Sequence, residues 1–430
     1  MKSGSALVLA AASLLLTSGC KTTTSVGAAG SGIVWVATSG DQMINTYRIN
    51  VTSGASSRVG SGIASGTQPS TMVMTPDRKL LFVANIDVAD ANCDPNHVIP
   101  NPFCNEVRAF TVNSDGTLKA LGNPLPISAP SISQLGMQMG LAVDPTNALL
   151  FATTEGNSGA LGQPQTVPGS ISILKISSTG LPSTFSTVSS TVPGDFTGNG
   201  PSAVAVAPVG DFIYVANQFT NSVALFSYDP AAATITAPPS ASYSTGANPV
   251  SLAFSRCAGG KVLNSNCTAS DGDNLFVANS GISNNVSVFA ACIEVTPTCS
   301  AADGTLHAVN NSPVSAGLGP SSIIVSPQLD FVYVVDTQAN EVSQFAYGPA
   351  TGSLSALSPP AISTGSAPVS GGITSDGGIV IVPNSGGSSV EVFKVNNAVS
   401  TTGAAPTGRL SRATSPTFTL ANQPSAVIVR

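Results

Sequence analysis

The chain is written as short apolar runs set between Gly, Pro, Asn and Ser, and the runs fall into recurring types. One type opens near Pro-Ser or Pro-Val: Pro69–Pro76, Met139–Pro145, Pro201–Pro208, Pro249–Ser255, Pro320–Pro327, Pro368–Thr374 and Pro424–Arg430. A second is β-branched and aromatic and ends in Ala-Asn or a variant: Ile33–Ser39, Leu80–Asn85, Leu149–Thr154, Phe212–Asn217, Asn274–Asn279, Phe331–Asp336 and Ile379–Asn384. A third alternates polar and apolar residues around a Phe, Tyr or Leu: Met43–Val51, Glu106–Asn113, Ser170–Ser177, Ser222–Asp229, Asn285–Cys292, Glu341–Gly348 and Ser389–Asn396. Val, Ile, Phe and Tyr bounded by turn residues are strand signals. After the N-terminal segment, no stretch holds a 3.6-residue apolar period long enough for a helix.

A weaker fourth strand is expected after each third one. Gly116–Leu118, Gly304–Leu306 and Gly352–Leu354 mark the turn into it. Four strands in every 40–50 residues or so is the blade of a β-propeller. Seven copies predict an all-β, seven-bladed β-propeller with four antiparallel strands per blade. The first blade begins at its second strand, Ile33–Ser39, so its inner strand must come from Pro424–Arg430 at the chain's end. The ring is then closed by its own C-terminus, which leaves no gap between the first and last blade.

Composition narrows the partners. Charged residues make up 8% of the 430, and the net charge is −6, so no basic footprint for nucleic acid exists. Gly (42) and Pro (31) agree with many turns. At the N-terminus, Lys2 precedes an apolar run, Ala6 to Leu16, too short to span a bilayer as a helix and suited to a secretory signal. Leu16-Thr17-Ser18-Gly19-Cys20 resembles the lipobox of bacterial lipoproteins, which implies cleavage before Cys20 and a lipid on it. Lys21 in place of Asp favours the outer membrane, with the protein facing the periplasm or the exterior. The expected division is 1–19 signal peptide, 20–31 flexible tether and 32–430 propeller.

Besides Cys20 there are six cysteines: Cys93, Cys104, Cys257, Cys267, Cys292 and Cys299. An even number in an exported chain reads as disulfides. Neighbour pairing gives Cys93–Cys104, Cys257–Cys267 and Cys292–Cys299. Cross-pairing stays open among the last four, which share one end of one blade. Zinc is disfavoured, since no C-x2-C spacing occurs and only His97 and His307 are present.

The runs Phe212–Asn217 and Leu81–Asn85 resemble the Tyr-Val-Thr/Ala-Asn propeller repeat of bacterial surface proteins. The spacing from Phe110 to Leu118 and from Phe345 to Leu354 resembles the lactonase-type seven-bladed family, which includes 6-phosphogluconolactonase and carboxymuconate-cyclase relatives. The resemblance covers roughly Ile33 to Arg430 and implies the fold and a possible lactone hydrolysis. Repeated Asn85, Asn217, Asn279 and Asn384 are expected to close the turn after each second strand by bonding backbone.

If inner strands start at one face, called the top, then second-to-third loops and blade-to-blade connections lie there too. The insertions 86–105, 155–169 and 192–200 then bring Asp87, Asp90, Asp94, His97, Glu106, Glu155 and Asp195 to one side. Long loops on a rigid scaffold are where binding concentrates. Asp87, Asp90, Asp94 and Asp195 are candidate ligands for a cation, Ca²⁺ above all. Glu155, Glu106, His97 and Asp144 are candidates for acid–base work on a lactone. Solvated loops pinned by Cys93–Cys104 are the alternative. Arg108 is placed to pair with Glu106, Trp35 to pack in its strand, and His307 to lie on an outer strand. Few Lys or Arg map to the top, which weighs against a phosphorylated substrate.

Two functions remain. Sparse catalytic groups and the tether point to an exported, lipid-anchored, monomeric platform that binds a small molecule or protein at the cell envelope and requires no cofactor. The family resemblance points instead to a lactonase-like hydrolase working at the channel mouth.

Overall fold

A computed structural model describes residues 30–89, 103–127, 139–155, 169–189, 200–236, 240–255, 257–258, 261–262, 273–295, 299–327, 330–396 and 407–430. Residues 1–19, expected to form a signal peptide, lie outside them, as do Cys20, Cys93, Cys267, Asp90, Asp94, His97 and Asp195 and the side chains of Asp87 and Cys257.

Seven antiparallel sheets of four or five strands form a ring of blades. The inner strands are Pro424–Val429 (blade 1), Pro69–Met74, Met139–Val143, Pro201–Val206, Pro249–Phe254, Pro320–Val325 and Gly372–Ile373 (blade 7). Blade 1 closes as the repeat requires: Val34, Trp35, Val36 and Ala37 face Val429, Ile428, Val427 and Ala426. Two backbone bonds, Arg430 N to Ile33 O (2.8 Å) and Ile33 N to Arg430 O (3.0 Å), extend the ladder to the last residue.

Three details differ from the sequence reading. The outer strands of blades 4 and 5 are each broken in two, at Thr234–Ile235 with Ala241–Ser244, and at Leu306–Ala308 with Val314–Ser315. The inner strand of blade 7 shrinks to two residues plus one bridge between Pro368 and Asn384. There Gly371 and Gly372 replace side chains, and a Cβ on them would fall 2.4 Å from Ile324 Cδ1 and 2.6 Å from Val429 Cγ2 respectively. Finally, Cys257–Ala258 and Lys261–Val262 form a small extra hairpin.

The core explains why second strands read as unbroken apolar runs. Blades pack face to face, so both faces of a second strand are buried. Val34 and Val36 join the cluster shared with blade 7, whereas Ile33, Trp35 and Ala37 join the one shared with blade 2. Each of the seven blade–blade contacts has one such cluster. The Gly-x-Leu turns also acquire a role. Trp35 Nε1, Tyr214 Oη and Tyr333 Oη each donate to a glycine carbonyl in the next blade's outer hairpin: Gly116 (2.8 Å), Gly304 (2.7 Å) and Gly408 (2.6 Å). These buried aromatics thus satisfy their polar atom across the blade boundary.

Cysteine placement follows the neighbour rule where it is visible. Cys292 and Cys299 are bonded to each other, which removes cross-pairing with Cys257 or Cys267. Cys104 is also disulfide-bonded. His307 is exposed on its outer strand.

Candidate active site at the channel mouth

The inner strands enclose a central cavity of about 730 Å³. A bulge near the start of five inner strands aims one residue into it. In blades 2, 4, 5 and 6 the ladder skips Ser70, Ser202, Val250 and Ser321, and in blade 1 it skips Ser425. All five line the cavity. Bulges re-aim side chains in this way. The serines are fixed by bonds to second-strand carbonyls, Ser70 Oγ to Ala84 O (3.3 Å) and Ser321 Oγ to Val335 O (3.2 Å) among them. The repeated Pro-Ser dipeptide was the signal in the sequence for this ring, and strand reasoning alone passed over it.

Nearer the top the wall is made by Gln218, Asn248, Ser280, Thr337 and Gln338; deeper it turns apolar, with Met72, Leu252 and Ile428. No described lining residue is ionisable. At this face the described acids are Asp41, Glu106, Glu155, Asp336, Glu341 and Glu391, and the described cations are Arg58, Arg108 and Arg412. All three arginines are engaged. Arg58 donates to Asn45 Oδ1 (2.6 Å), Arg108 to Glu106 Oε1 (2.7 Å), and Arg412 is paired with Glu391. Residues 90–102, 128–138, 156–168 and 190–199, whose flanking strands end on this face, contain neither Lys nor Arg.

The acid–base candidates separate by environment. Glu106 is buried and held by Arg108 and by the Asn85 amide (3.3 Å), so its charge is already answered. Asp144 is not at the mouth. It sits in the turn between inner and second strands, at the opposite face from Glu155 at the end of the same second strand. Its carboxylate accepts from Ala148 N and Leu149 N (both 2.7 Å) and from Thr146. That is the work of an Asx turn, and it corrects the expectation that Asp144 joins the site. Glu155 is buried at the top and accepts from the amide of Gln218, a residue of the cavity wall. Among the described residues no group of three or more His, Cys, Asp and Glu side chains converges to hold a metal ion.

The repeated asparagines are placed differently from expectation. Turn closure belongs to Gln42, Asn221, Asn284 and Asn340, all at positive φ (43–57°). Asn221, Asn284 and Asn340 accept on Oδ1 from the backbone of the next connection: Asn248 N (2.8 Å), Gly319 N (2.8 Å) and Ala367 N (2.7 Å). The mouth is thus belted by turns bonded to connections. Asn85, Asn279, Asp336 and Asn384 lie beneath the belt, fully buried under a glycine. A Cβ on Gly66, Gly246, Gly317 or Gly365 would come within 2.6–2.9 Å of them.

Asp336 is the odd member of this set. Its Oδ2 accepts from Ser343 Oγ (2.6 Å) and Ser343 N (3.2 Å), while Oδ1 is buried without a hydrogen-bond partner. Burial pushes its carboxyl up to about 7; the Ser343 bonds oppose this and Glu341 adds to it. The unfolded value is near 3.9. The native protein therefore keeps a proton that the unfolded chain has released, and stability present below pH ~4 is lost as pH rises through ~7. The lost amount is on the order of 4 kcal/mol. Asp336→Asn, which installs the residue of blades 2, 4, 5 and 7, should raise the melting temperature at pH 8 by several degrees and flatten its pH dependence between 5 and 8. Parallel melting curves for both proteins across that range would refute the assignment.

The comparisons with known proteins agree with this architecture. The family model described as lactonase, 7-bladed beta-propeller, matches residues 167–291 and 268–415. A putative 6-phosphogluconolactonase from Bacteroides uniformis is similar in structure, with 16% identity, a TM-score of 0.68, and coverage of 93% of this chain and 99% of its own. A periplasmic gluconolactonase of Pseudomonas aeruginosa is similar with 17% identity and a TM-score of 0.63, covering 93% of this chain and 99% of its own. No curated protein matches the chain. At these identities the structural likeness establishes the fold, while the family model spans more than half of the sequence. The chain belongs to the lactonase family of seven-bladed β-propellers.

Proposed function

We propose that the protein hydrolyses an uncharged lactone at the mouth of its central channel. The observation that carries this reading is a cavity walled by neutral hydroxyl and amide groups, with one carboxylate, Glu155, a single hydrogen bond behind the wall at Gln218. Family membership supports a hydrolase over an interaction platform. Export and a lipid on Cys20 rest on the N-terminal sequence and fit a lactone met at the cell envelope.

The chemistry asked of these groups is modest. Glu155 takes a proton from water as the water oxygen bonds to the lactone carbonyl carbon. The ring carbon–oxygen bond then breaks, and the ring oxygen takes that proton back from Glu155 to give a hydroxy acid. General-base help of this kind contributes about 10²- to 10⁴-fold. Glu155 is chosen because the Gln218 amide joins it to the cavity wall, whereas Glu106 and Glu391 are tied to arginines.

Charge selects the substrate. The three arginines described at the mouth are all engaged, and acids outnumber them, so a phosphate would meet repulsion without a clamp. Steady-state kinetics on glucono-δ-lactone and its 6-phosphate, corrected for spontaneous opening, test this. The neutral lactone should show at least tenfold higher kcat/KM. Preference for the phosphate, or no rate above background on either compound, would overturn the reading.

A further inference from the structure

One sector of the mouth carries apolar side chains that the scaffold does not need. Phe219, Ile282 and Leu318 are 40%, 95% and 57% exposed, and they are three of the five large hydrophobics exposed among the described residues. All three lie on the top face in neighbouring blades, and each is next to, or two residues from, a residue of the cavity wall: Gln218, Ser280 and Gly319.

The repeat supplies its own control. Where blade 4 has Phe219 in the second-to-third turn, blades 1 and 7 have Gly40 and Gly386 and blade 6 has Gln338. Where the connection into blade 6 has Leu318, the connections into blades 2, 5, 7 and 1 have Thr67, Ala247, Ser366 and Asn422. Small or polar residues therefore build the same turns. The segments that carry the apolar ones are tied down by backbone bonds: Gln218 N, beside Phe219, to Gly200 O (2.8 Å), Ser280 N, two residues before Ile282, to Asn248 O (2.9 Å), and Ala339 N to Leu318 O (3.0 Å). A fixed arc of exposed apolar side chains continuous with a cavity is a binding feature.

We infer that the lactone taken at this mouth carries a linear alkyl or acyl chain, with its polar ring among the neutral groups of the wall and its chain lying over Phe219, Ile282 and Leu318. This rests on the hydrolase reading for the ring and adds the class of its substituent. An alkyl chain fits the arc because nothing in the described wall offers a charge to a charged substituent, and the arc borders the cavity directly.

The test compares the wild-type protein with the triple variant Phe219→Ser/Ile282→Ser/Leu318→Ser on two δ-lactones, one unsubstituted and one bearing a nonyl chain. The wild type should favour the nonyl compound at least tenfold in kcat/KM, chiefly through KM, and the variant should lose that preference to within about twofold while handling the unsubstituted lactone unchanged. Ile282→Ser alone serves if the triple variant does not fold, with a smaller loss expected in the same direction. Equal kcat/KM for both lactones in the wild type, or a preference that survives in the variant, would overturn the inference. Calorimetry with the corresponding nonyl lactam separates the two readings: tenfold tighter binding to the wild type without turnover of either lactone would keep the arc and remove the hydrolase, and no binding would remove the arc. Sedimentation that shows a wild-type dimer and a monomeric variant would assign the arc to a second copy and equally overturn it.

Discussion

A chain ending at Gln423 should lose cooperative folding, or melt more than ten degrees below the full-length protein. The last seven residues form no tail; they are the inner strand of blade 1. Their removal breaks the ladder to Val34–Thr38 and exposes the fully buried Trp35 and Val36. Ala426 and Val427 leave the two clusters that join blade 1 to blades 2 and 7. The Arg430 guanidinium, 5.5 Å from the Trp35 ring centroid, leaves with them. At roughly 1.5–3 kcal/mol for each large apolar side chain returned to water, the loss approaches the whole stability of an ordinary domain. The inner edge of Ser31–Thr38 is also left unpaired. Thermal unfolding followed by circular dichroism reads this directly, and an unchanged transition would mean that closure contributes little.

The fold was legible because its cause is repetitive. Every blade solves the same burial problem, so Phe212–Asn217 and Phe331–Asp336 carry nearly the same letters and sit at equivalent places. The closing strand was legible for the same reason: one type of run was missing at the start and present at the end. The Glu106–Arg108 pair was also readable, since alternate residues of a strand share a face.

The site was less legible, because it depends on residues that depart from the repeat or on backbone irregularities. Bulges swing Ser70, Ser202, Ser321 and Ser425 into the channel, and no periodicity announces a bulge. Gln218 matters only because Glu155 lies 63 residues away in the adjoining blade. Asp144 was misplaced because a carboxylate was weighed as chemistry when its position before Pro145-Thr146-Asn147 marks it as the head of a turn. The asparagines were misassigned because in blades 4 and 5 an asparagine stands at each end of the short turn. The one at positive φ closes it, as at Asn221, and the one at the strand end is buried under a neighbouring glycine, as at Asn279.

The hydrolase reading concentrates on one side chain. Glu155→Gln keeps the length of the side chain and its proximity to Gln218, and removes only the ability to take a proton. The Glu106–Arg108 and Glu391–Arg412 pairs of this face are left intact. The measurement that bears on the account most directly is kcat/KM of Glu155→Gln and wild type on a neutral δ-lactone, with melting temperatures taken in parallel. A fall of at least 100-fold, carried by kcat at similar KM and with the melting temperature preserved, is the predicted result. Activity within threefold of the wild type in a folded variant would contradict it.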